Sequence, residues 1–195
     1  WNFSEAQQKL QVELDNESGQ IVNRYIKGEE RSFTIIAYPI PEIGENFQDI
    51  FREIVKINTL DYKKYQKIQQ TIIDTLDTCE WVEIKGKGDN ETDLLIHLHT
   101  LTDPQKQTNF ENCVADVNIP LGEVFTSPVL AGTGGILHVS KVYLNGLQFC
   151  DLKLVFDCGQ VIDYTCSNFD TEEENRKYIE DNILFHHPRL AMGEF

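Results

Sequence analysis

The sequence predicts an α+β protein, in which a partial α/β layer is followed by a β-meander or barrel-like domain with one capped helix. Three observations support this class. Two amphipathic helical patterns lie between strand-like segments in the first half of the chain. Strand-like segments separated by turn signals follow in the second half, and one helix signal comes after them. The 195 residues suffice for one large or two small domains with a hydrophobic core.

The first elements are expected to be a short hairpin and a strand. Residues 1–31 are polar, with a turn signal at residues 15–19, so we expect a short hairpin there. Residues 32–38 are β-branched and aromatic, and Pro39 follows them, which predicts a buried strand.

Two helices are predicted next, because apolar residues recur at spacings of three and four. The apolar face of the first helix consists of Phe47, Ile50, Phe51, Ile54 and Val55. The face of the second consists of Tyr65, Ile68, Ile72 and Leu76. Such faces belong to a hydrophobic core more often than to a ligand site, so we assign both to the core.

Two further strands, at residues 81–84 and 92–100, are separated by a loop at residues 85–90. The resulting β-α-α-β-β order predicts an α/β layer. In the second strand the leucines and isoleucine at 94, 96 and 98 face one way, so that His97 and His99 share the other face. A histidine pair of this spacing can chelate a metal. No third ligand is readable, and two half-exposed histidines are the favoured interpretation.

The second half reads as a β-meander of at least three strands, at residues 136–143, 147–156 and 161–166. Asn145-Gly146 and Asp157-Cys158-Gly159 are the turn signals between them. The preceding Gly132-Thr133-Gly134-Gly135 resembles a phosphate-binding turn, but it does not open a helix, so we predict a flexible turn.

A helix is predicted from the capping box at residues 171–174 to about residue 184. Its inward side chains would be Tyr178, Ile179 and Ile183. The adjacent His186 and His187 point in different directions and are assigned to the surface or to the helix cap.

The composition is that of a folded, acidic protein. Hydrophobic residues make up 41% and charged residues 25% of the chain, which is ordinary globular usage. The net charge of −15 is spread along the sequence, which argues against nucleic acid and anionic membranes as partners. No apolar run approaches transmembrane length. The five cysteines include no C-x-x-C pair, so we expect free thiols and a cytoplasmic protein.

The polar connection at residues 101–117 suggests a domain boundary. We expect residues 1–112 to be the C-terminal part of an α/β domain and residues 113–195 to be the start of a β-rich catalytic domain. The chain begins at Trp1 and its single methionine is Met192, so we interpret it as a piece of a longer protein.

One carboxylate, Glu123, lies in an otherwise uncharged segment at residues 118–128. Pro120 and Pro128 restrict the backbone, and Gly122 permits a turn or a close approach. Glutamate is rarely buried unless it is paired or binds a metal. From these residues alone, a solvated loop with an incidental glutamate and a metal site are both open.

The segment Asn-Ile-Pro-Leu-Gly-Glu-Val-Phe-Thr-Ser-Pro resembles the signature of the thermophilic metallo-aminopeptidase family, of the aminopeptidase T and aminopeptidase S type. In that family the glutamate, here Glu123, ligates a divalent metal. Residues 33–39 and 92–94 are also similar to the family. Ala-Met-Gly-Glu-Phe at residues 191–195 resembles its second metal motif, whose glutamate, here Glu194, bridges two ions. The two glutamates are 71 residues apart, close to the family's spacing.

The resemblance implies a parent enzyme that uses two divalent ions (zinc, cobalt or manganese) to release N-terminal amino acids from peptides. A bridged ion pair can polarise a peptide carbonyl and activate water. The family's remaining ligands, a glutamate, two histidines and an aspartate, together with a nearby tyrosine, follow the second glutamate and are absent here. Because a zinc site needs three or four protein ligands, we expect this chain alone to be inactive.

Two further expectations concern partners and the alternative function. The family tends to dimerise, and an exposed meander edge would allow two copies to pair as a homodimer. The alternative to a peptidase is a non-catalytic binding or scaffolding module that reuses this fold and keeps Glu123 for structural reasons.

Overall fold

The structure, a computed structural model, describes residues 4–30, 34–114, 118–119, 122–144, 146–185 and 187–195. Its helices are α1 (Glu5–Tyr25), α2 (Phe47–Asn58), α3 (Tyr62–Leu76) and α4 (Glu172–Ile179). Short 3₁₀ turns occupy Gly28–Glu30 and Pro41–Ile43, and α4 continues as a π-helical turn over Glu180–Leu184. The strands are β1 (Ile35–Ile36), β2 (Trp81–Lys85), β3 (Asp93–His97), β4 (Glu111–Cys113), β5 (Asn118–Ile119), β6 (Glu123–Phe125), β7 (Val129–Leu144), β8 (Leu147–Asp157) and β9 (Gln160–Thr165).

The chain forms two compact units. The sheet unit consists of Trp1–Lys27, Glu80–His99 and Ser127–Phe195. The helix unit consists of Gly28–Cys79 and Thr100–Thr126. The predicted division into an α/β domain at residues 1–112 and a catalytic domain at residues 113–195 stays a prediction.

The sheet unit contains a five-stranded antiparallel sheet in the order β2-β3-β7-β8-β9. The α+β class and the meander of β7, β8 and β9 are therefore confirmed. Two expectations are corrected. β2 and β3 join this sheet rather than an α/β layer, because β3 pairs with β7. The sheet is also open among the described strands, with β2 and β9 as its outer strands, so it is not a barrel.

Both turns of the meander form as predicted. The hairpin between β7 and β8 closes on the pair Leu144 and Leu147, and Gly146 has a φ of 79°. Asn145, the other residue of that turn, lies outside the described residues. Between β8 and β9, Cys158 and Gly159 have φ values of 47° and 67°, the left-handed conformation of a two-residue I′ hairpin loop.

The Gly-Thr-Gly-Gly segment is part of the long strand β7, so its interpretation as a flexible turn is wrong. Gly132 and Gly135 have φ values of 85° and 122°, and the pairing of β3 with β7 shifts register beside them. Positive φ at glycine lets the strand bulge and still pair. Thr133 between them is fully buried.

The predicted faces of β3 and α4 are confirmed. Leu94, Ile96 and Leu98 are buried, whereas His97 is half-buried and His99 is exposed. Thr171 caps α4 by accepting a hydrogen bond from the backbone N–H of Glu174. The core of the unit lies between the sheet and α4. It consists of Leu94, Ile96, Phe149, Leu152, Leu154, Phe156, Val161, Cys166, Ile179 and Leu184, and Tyr178 and Ile183 pack against it.

The N-terminal hairpin is a wrong prediction, because the chain forms the single helix α1. Ser4 caps it through a capping box with Gln7. This start signal and the many strong helix formers outweigh the turn signal at residues 15–19. The strand predicted at residues 32–38 is described only as Ile35–Ile36, where both side chains are exposed rather than buried. Its residues 32 and 33 lie outside the described residues.

The helix unit contains the two predicted helices, but α3 buries a different face from the one predicted. In α3 the buried residues are Gln69 and Ile73, whereas Ile68 and Ile72 are about half exposed. The expected apolar face is therefore corrected, because α3 packs against β4 and β6 through a face that includes a glutamine. In α2, Val55 is 40% exposed, so its apolar face is only partly covered.

The cysteines and the hydrophobicity of the helices can be compared with what the composition predicts. The five cysteines all lie within the described residues, and none forms a disulfide, as predicted. Within the described ranges, no helix has both the length and the hydrophobicity that crossing a membrane requires.

Candidate metal centre

Glu123 begins β6 in the helix unit and lies opposite Cys113 of β4. The preceding Gly122 has a φ of 125°, which turns the backbone into the strand. The Glu123 side chain is exposed. Within the part of the chain that the structure describes, its carboxylate makes no hydrogen bond or ion pair, so both oxygens are open to a cation.

The backbone of Glu123 is held from the side of α3. The Nε2 atom of Gln69 lies 2.9 Å from the carbonyl oxygen of Glu123 and 2.9 Å from that of Cys113. Gln69 is 4% exposed. One buried amide therefore connects α3 to both strands of the small β4–β6 sheet, beside the candidate ligand.

Glu194 lies in the sheet unit, in the segment that follows α4. Ala191 forms a β-bridge with Gln160 at the start of β9, and the backbone N–H of Met192 donates to the carbonyl of Gly159 at 2.8 Å. The side chains of Met192 and Phe195 pack against the core. Glu194 itself is exposed, and its carboxylate makes no hydrogen bond or ion pair among the described residues.

The two predicted ligands thus belong to different compact units, and their role in one common site stays a prediction. Carboxylate oxygens suit divalent cations, and both glutamates expose theirs. The donor chemistry of each residue therefore fits. No group of three or more His, Cys, Asp or Glu residues that could hold a metal occurs within the described ranges.

The His97 and His99 pair is not part of such a group either. The ring of His97 packs against Gly132, where an added Cβ would lie 3.1 Å from Nε2. His99 is exposed and lies two residues beyond the end of β3. His187 is exposed after α4, and His186 lies outside the described residues. The interpretation of these histidines as non-ligands stays a prediction.

Sequence reasoning missed a buried histidine, His138 on β7. Its Nδ1 atom accepts a hydrogen bond from the backbone N–H of Glu91 at 2.9 Å. Its Nε2 atom has no hydrogen-bond partner among the described residues and lies 3.7 Å from Oδ1 of Asp151. Asp151 has a φ of 47° and accepts a hydrogen bond from Ser167. No local pattern reveals this cluster, since its members come from two strands and two loops.

A cleft of about 500 Å³ lies between β9 and the end of α4, and is lined by Tyr164, Arg176, Glu180 and Arg189 among others. Arg176 donates to Asp163 at 2.8 Å and stacks over the ring of Tyr164 at 4.4 Å. This hydrogen bond lowers the pKa of Asp163. Burial, aided by the hydrogen bond to Glu180, raises the pKa of Tyr164. Arg176 is thus already neutralised, which leaves little attraction for an anionic ligand.

Comparison with known proteins decides the family. The family model described as thermophilic metalloprotease (M29) matches residues 4–175. The chain belongs to this M29 metalloprotease family. The match includes Glu123 and its surrounding motif, and ends before Glu194. This membership confirms the family resemblance seen in the sequence.

The solved structures add support for the fold. Wild-type AmpT from Thermus thermophilus is similar with a TM-score of 0.50 and 17% identity, over 78% of this chain and 42% of that chain. At this identity the likeness shows the fold alone. The M29 chain described here therefore spans less than half of that protein's length. A search of the curated proteins found no match.

Proposed function

We propose that the full-length protein is a divalent-metal-dependent aminopeptidase, in which Glu123 and Glu194 are ligands of a two-ion centre. The observation that carries this proposal is the family match over residues 4–175, with Glu123 inside the matched signature. The exposed carboxylate of Glu123, on a backbone anchored by Gln69, supports the ligand role.

Each of the two proposed ligands lies on a segment with defined backbone contacts. Glu123 is placed by the β4–β6 pairing, and Glu194 follows the bridge between Ala191 and Gln160. When bound, the ions supply Lewis-acid polarisation of the peptide carbonyl and a more acidic water. Zinc, cobalt and manganese all fit, because carboxylate ligands select weakly among these ions.

Residues 1–195 by themselves are expected to be inactive. Two carboxylates are fewer ligands than the three that a catalytic zinc site takes from its protein. The remaining ligands are expected in the part of the enzyme that follows residue 195. The wider proposal is a cytoplasmic enzyme that acts on peptides and not on nucleic acid or membranes, and that pairs as a homodimer through a free sheet edge.

The test uses the full-length protein with an aminoacyl chromogenic substrate and added zinc, cobalt or manganese. We expect hydrolysis that a chelator abolishes and that the metal restores. The N-acetylated form of the same substrate should not be cleaved, because an aminopeptidase requires a free α-amine. Cleavage of both forms would indicate an endopeptidase instead.

The ligand role of Glu123 is tested by Glu123→Gln, with Glu111→Gln as the matched control. Glu111 is an exposed glutamate on the neighbouring strand β4. We expect Glu123→Gln to lose activity and metal affinity and Glu111→Gln to keep both. If the full-length protein shows no hydrolysis that chelators abolish, the non-catalytic binding or scaffolding module becomes the better description.

A further inference from the structure

The amide of Gln69 is the centre of a buried polar network under the candidate ligand. Its Nε2 atom lies 2.9 Å from three oxygens, namely the carbonyls of Cys113 and Glu123 and Oδ1 of Asn112. Asn112 in turn donates from Nδ2 to the carbonyl of Gln66 and to Oε1 of Gln70 at 3.1 Å. The network therefore connects α3 with β4 and β6.

The contacts determine how the Gln69 amide is oriented. Three acceptors surround Nε2, so exchanging the amide's oxygen and nitrogen would place an oxygen against three oxygens. The Asn112 amide is oriented independently, because its Nδ2 faces two acceptors on α3. Its Oδ1 consequently points to Nε2 of Gln69, so the orientations of the two side-chain amides are mutually consistent.

A packing role alone does not explain this residue. The other buried residue of α3 is Ile73, and the helix pattern leads one to expect an apolar residue at position 69 as well. Gln69 instead carries an Oε1 atom that is buried and has no hydrogen-bond partner among the described residues. Such an atom is unfavourable. The cost of the unsatisfied Oε1 is offset by the hydrogen bonds of Nε2, which hold the backbones of the two strands.

The strands that Gln69 holds are too short to be rigid by themselves. β6 has three residues and, among the described strands, pairs only with the three-residue β4. A two-stranded ribbon is marginally stable. The Glu123 backbone therefore depends on contacts from α3, and Gln69 makes one to its carbonyl oxygen.

We propose that Gln69 is a positioning residue for the metal centre, which fixes the backbone of Glu123 so that its carboxylate meets the ion in one orientation. This inference rests on the proposed ligand role of Glu123. Residues that orient a metal ligand typically change metal affinity by about 10- to 100-fold when they are replaced. Replacing Gln69 is expected to change the metal affinity within that range, although Gln69 is not itself a proposed ligand.

The test compares Gln69→Met with two controls in the full-length protein, and the probe is Mn²⁺ or Co²⁺ alone, titrated by calorimetry. Gln66→Met makes the same replacement at an exposed position one turn earlier on α3. Ile73→Ala destabilises the same helix by removing buried packing, without touching the Glu123 carbonyl. We expect Gln69→Met to weaken metal binding on the order of tenfold or more, and both controls to bind as the unaltered protein does.

Kinetics and a second variant complete the test. For Gln69→Met at saturating metal, we expect kcat to fall more than KM changes, since the substrate contacts remain. If Gln69→Met does not fold, Gln69→Asn replaces it, because it keeps a neutral amide but is one methylene shorter and draws the amide donors away from the Glu123 carbonyl. The same loss of metal affinity is expected from it.

Two results would overturn the positioning role. One is unaltered metal affinity in the folded Gln69 variant, and the other is an equal loss in Ile73→Ala, which would make the effect one of stability. Failure of the proposed function looks different. In that case Glu123→Gln binds metal as tightly as the unaltered protein, whatever the Gln69 variants do.

Discussion

The hydroxyl of Thr133 accepts a hydrogen bond from the backbone N–H of His97 at 2.9 Å and donates one to the carbonyl of Val129 at 2.6 Å. It thereby ties β3 to the bulged part of β7, at a site that solvent does not reach. Thr133→Val keeps the shape but leaves both backbone groups without this partner. We expect a loss of about 1–3 kcal/mol in the free energy of unfolding, measured by urea titration.

Thr133→Ser is the control, because it keeps the hydroxyl and removes one methyl group. Its expected cost is about 1 kcal/mol. If the serine variant were less stable than the valine variant, the hydrogen bonds would not be the reason for this threonine.

Gly135 should tolerate no side chain. Its φ is 122°, and an added Cβ would collide with the carbonyl oxygen of Asp93 on the paired strand. Gly135→Ala is therefore expected to destabilise the protein by more than about 1 kcal/mol.

Gly19 in the exposed helix α1 is the matched control, since an added Cβ there meets nothing within 4 Å. Alanine favours a helix over glycine by up to about 1 kcal/mol, so Gly19→Ala should be neutral or stabilising. Thermal unfolding of both variants distinguishes these outcomes. Equal melting temperatures would contradict the close packing of β3 and β7 at Gly135.

The pair of Asp163 and Arg176 should add stability that disappears in acid. The Arg176 hydrogen bond lowers the pKa of the Asp163 carboxyl in the folded protein. A lowered pKa stabilises the fold above the unfolded value, about 3.9, and the effect is lost as the pH falls through the folded value. Because the Asp163 side chain is 61% exposed, we expect Asp163→Asn to cost less than about 1 kcal/mol at pH 7.

Urea unfolding at pH 7 and near pH 3 measures this difference, which should be smaller in acid. Glu53→Gln, which breaks an exposed pair with Lys56 inside α2, is the control for charge removal alone. A penalty for Asp163→Asn that is the same at both pH values would show that the charge pair is not its cause.

The proposed two-ion centre predicts that Glu194 is needed for full metal occupancy. Glu194→Gln removes the negative charge of an exposed carboxylate and, in that proposed centre, the oxygen that would bridge the ions. We expect metal affinity to fall at least on the order of tenfold, and metal content after dialysis to decrease.

Glu173→Gln, at an exposed position in the first turn of α4, serves as the control and should keep the full metal content. Unaltered affinity and metal content in Glu194→Gln would remove Glu194 from the ligand set, and would leave the role of Glu123 to its own test.

The sequence by itself determined what depends on near neighbours in the chain. Thr171 predicts the start of α4, the turns at residues 145–146 and 157–159 predict the meander, and alternation predicts the buried face of β3. The signature around Glu123 predicts the family. All of these are local patterns, because caps, tight turns and alternation are set within a few residues.

Only the tertiary structure decided the rest. It assigned β2 and β3 to the five-stranded sheet, made Gly132 and Gly135 part of a bulged strand, and buried Gln69 beneath Glu123. The physical reason is the same in each case. The positive φ of the glycines and the choice of a glutamine at position 69 both depend on backbone groups that lie tens of residues away along the chain. No periodicity in the sequence encodes such long-range contacts.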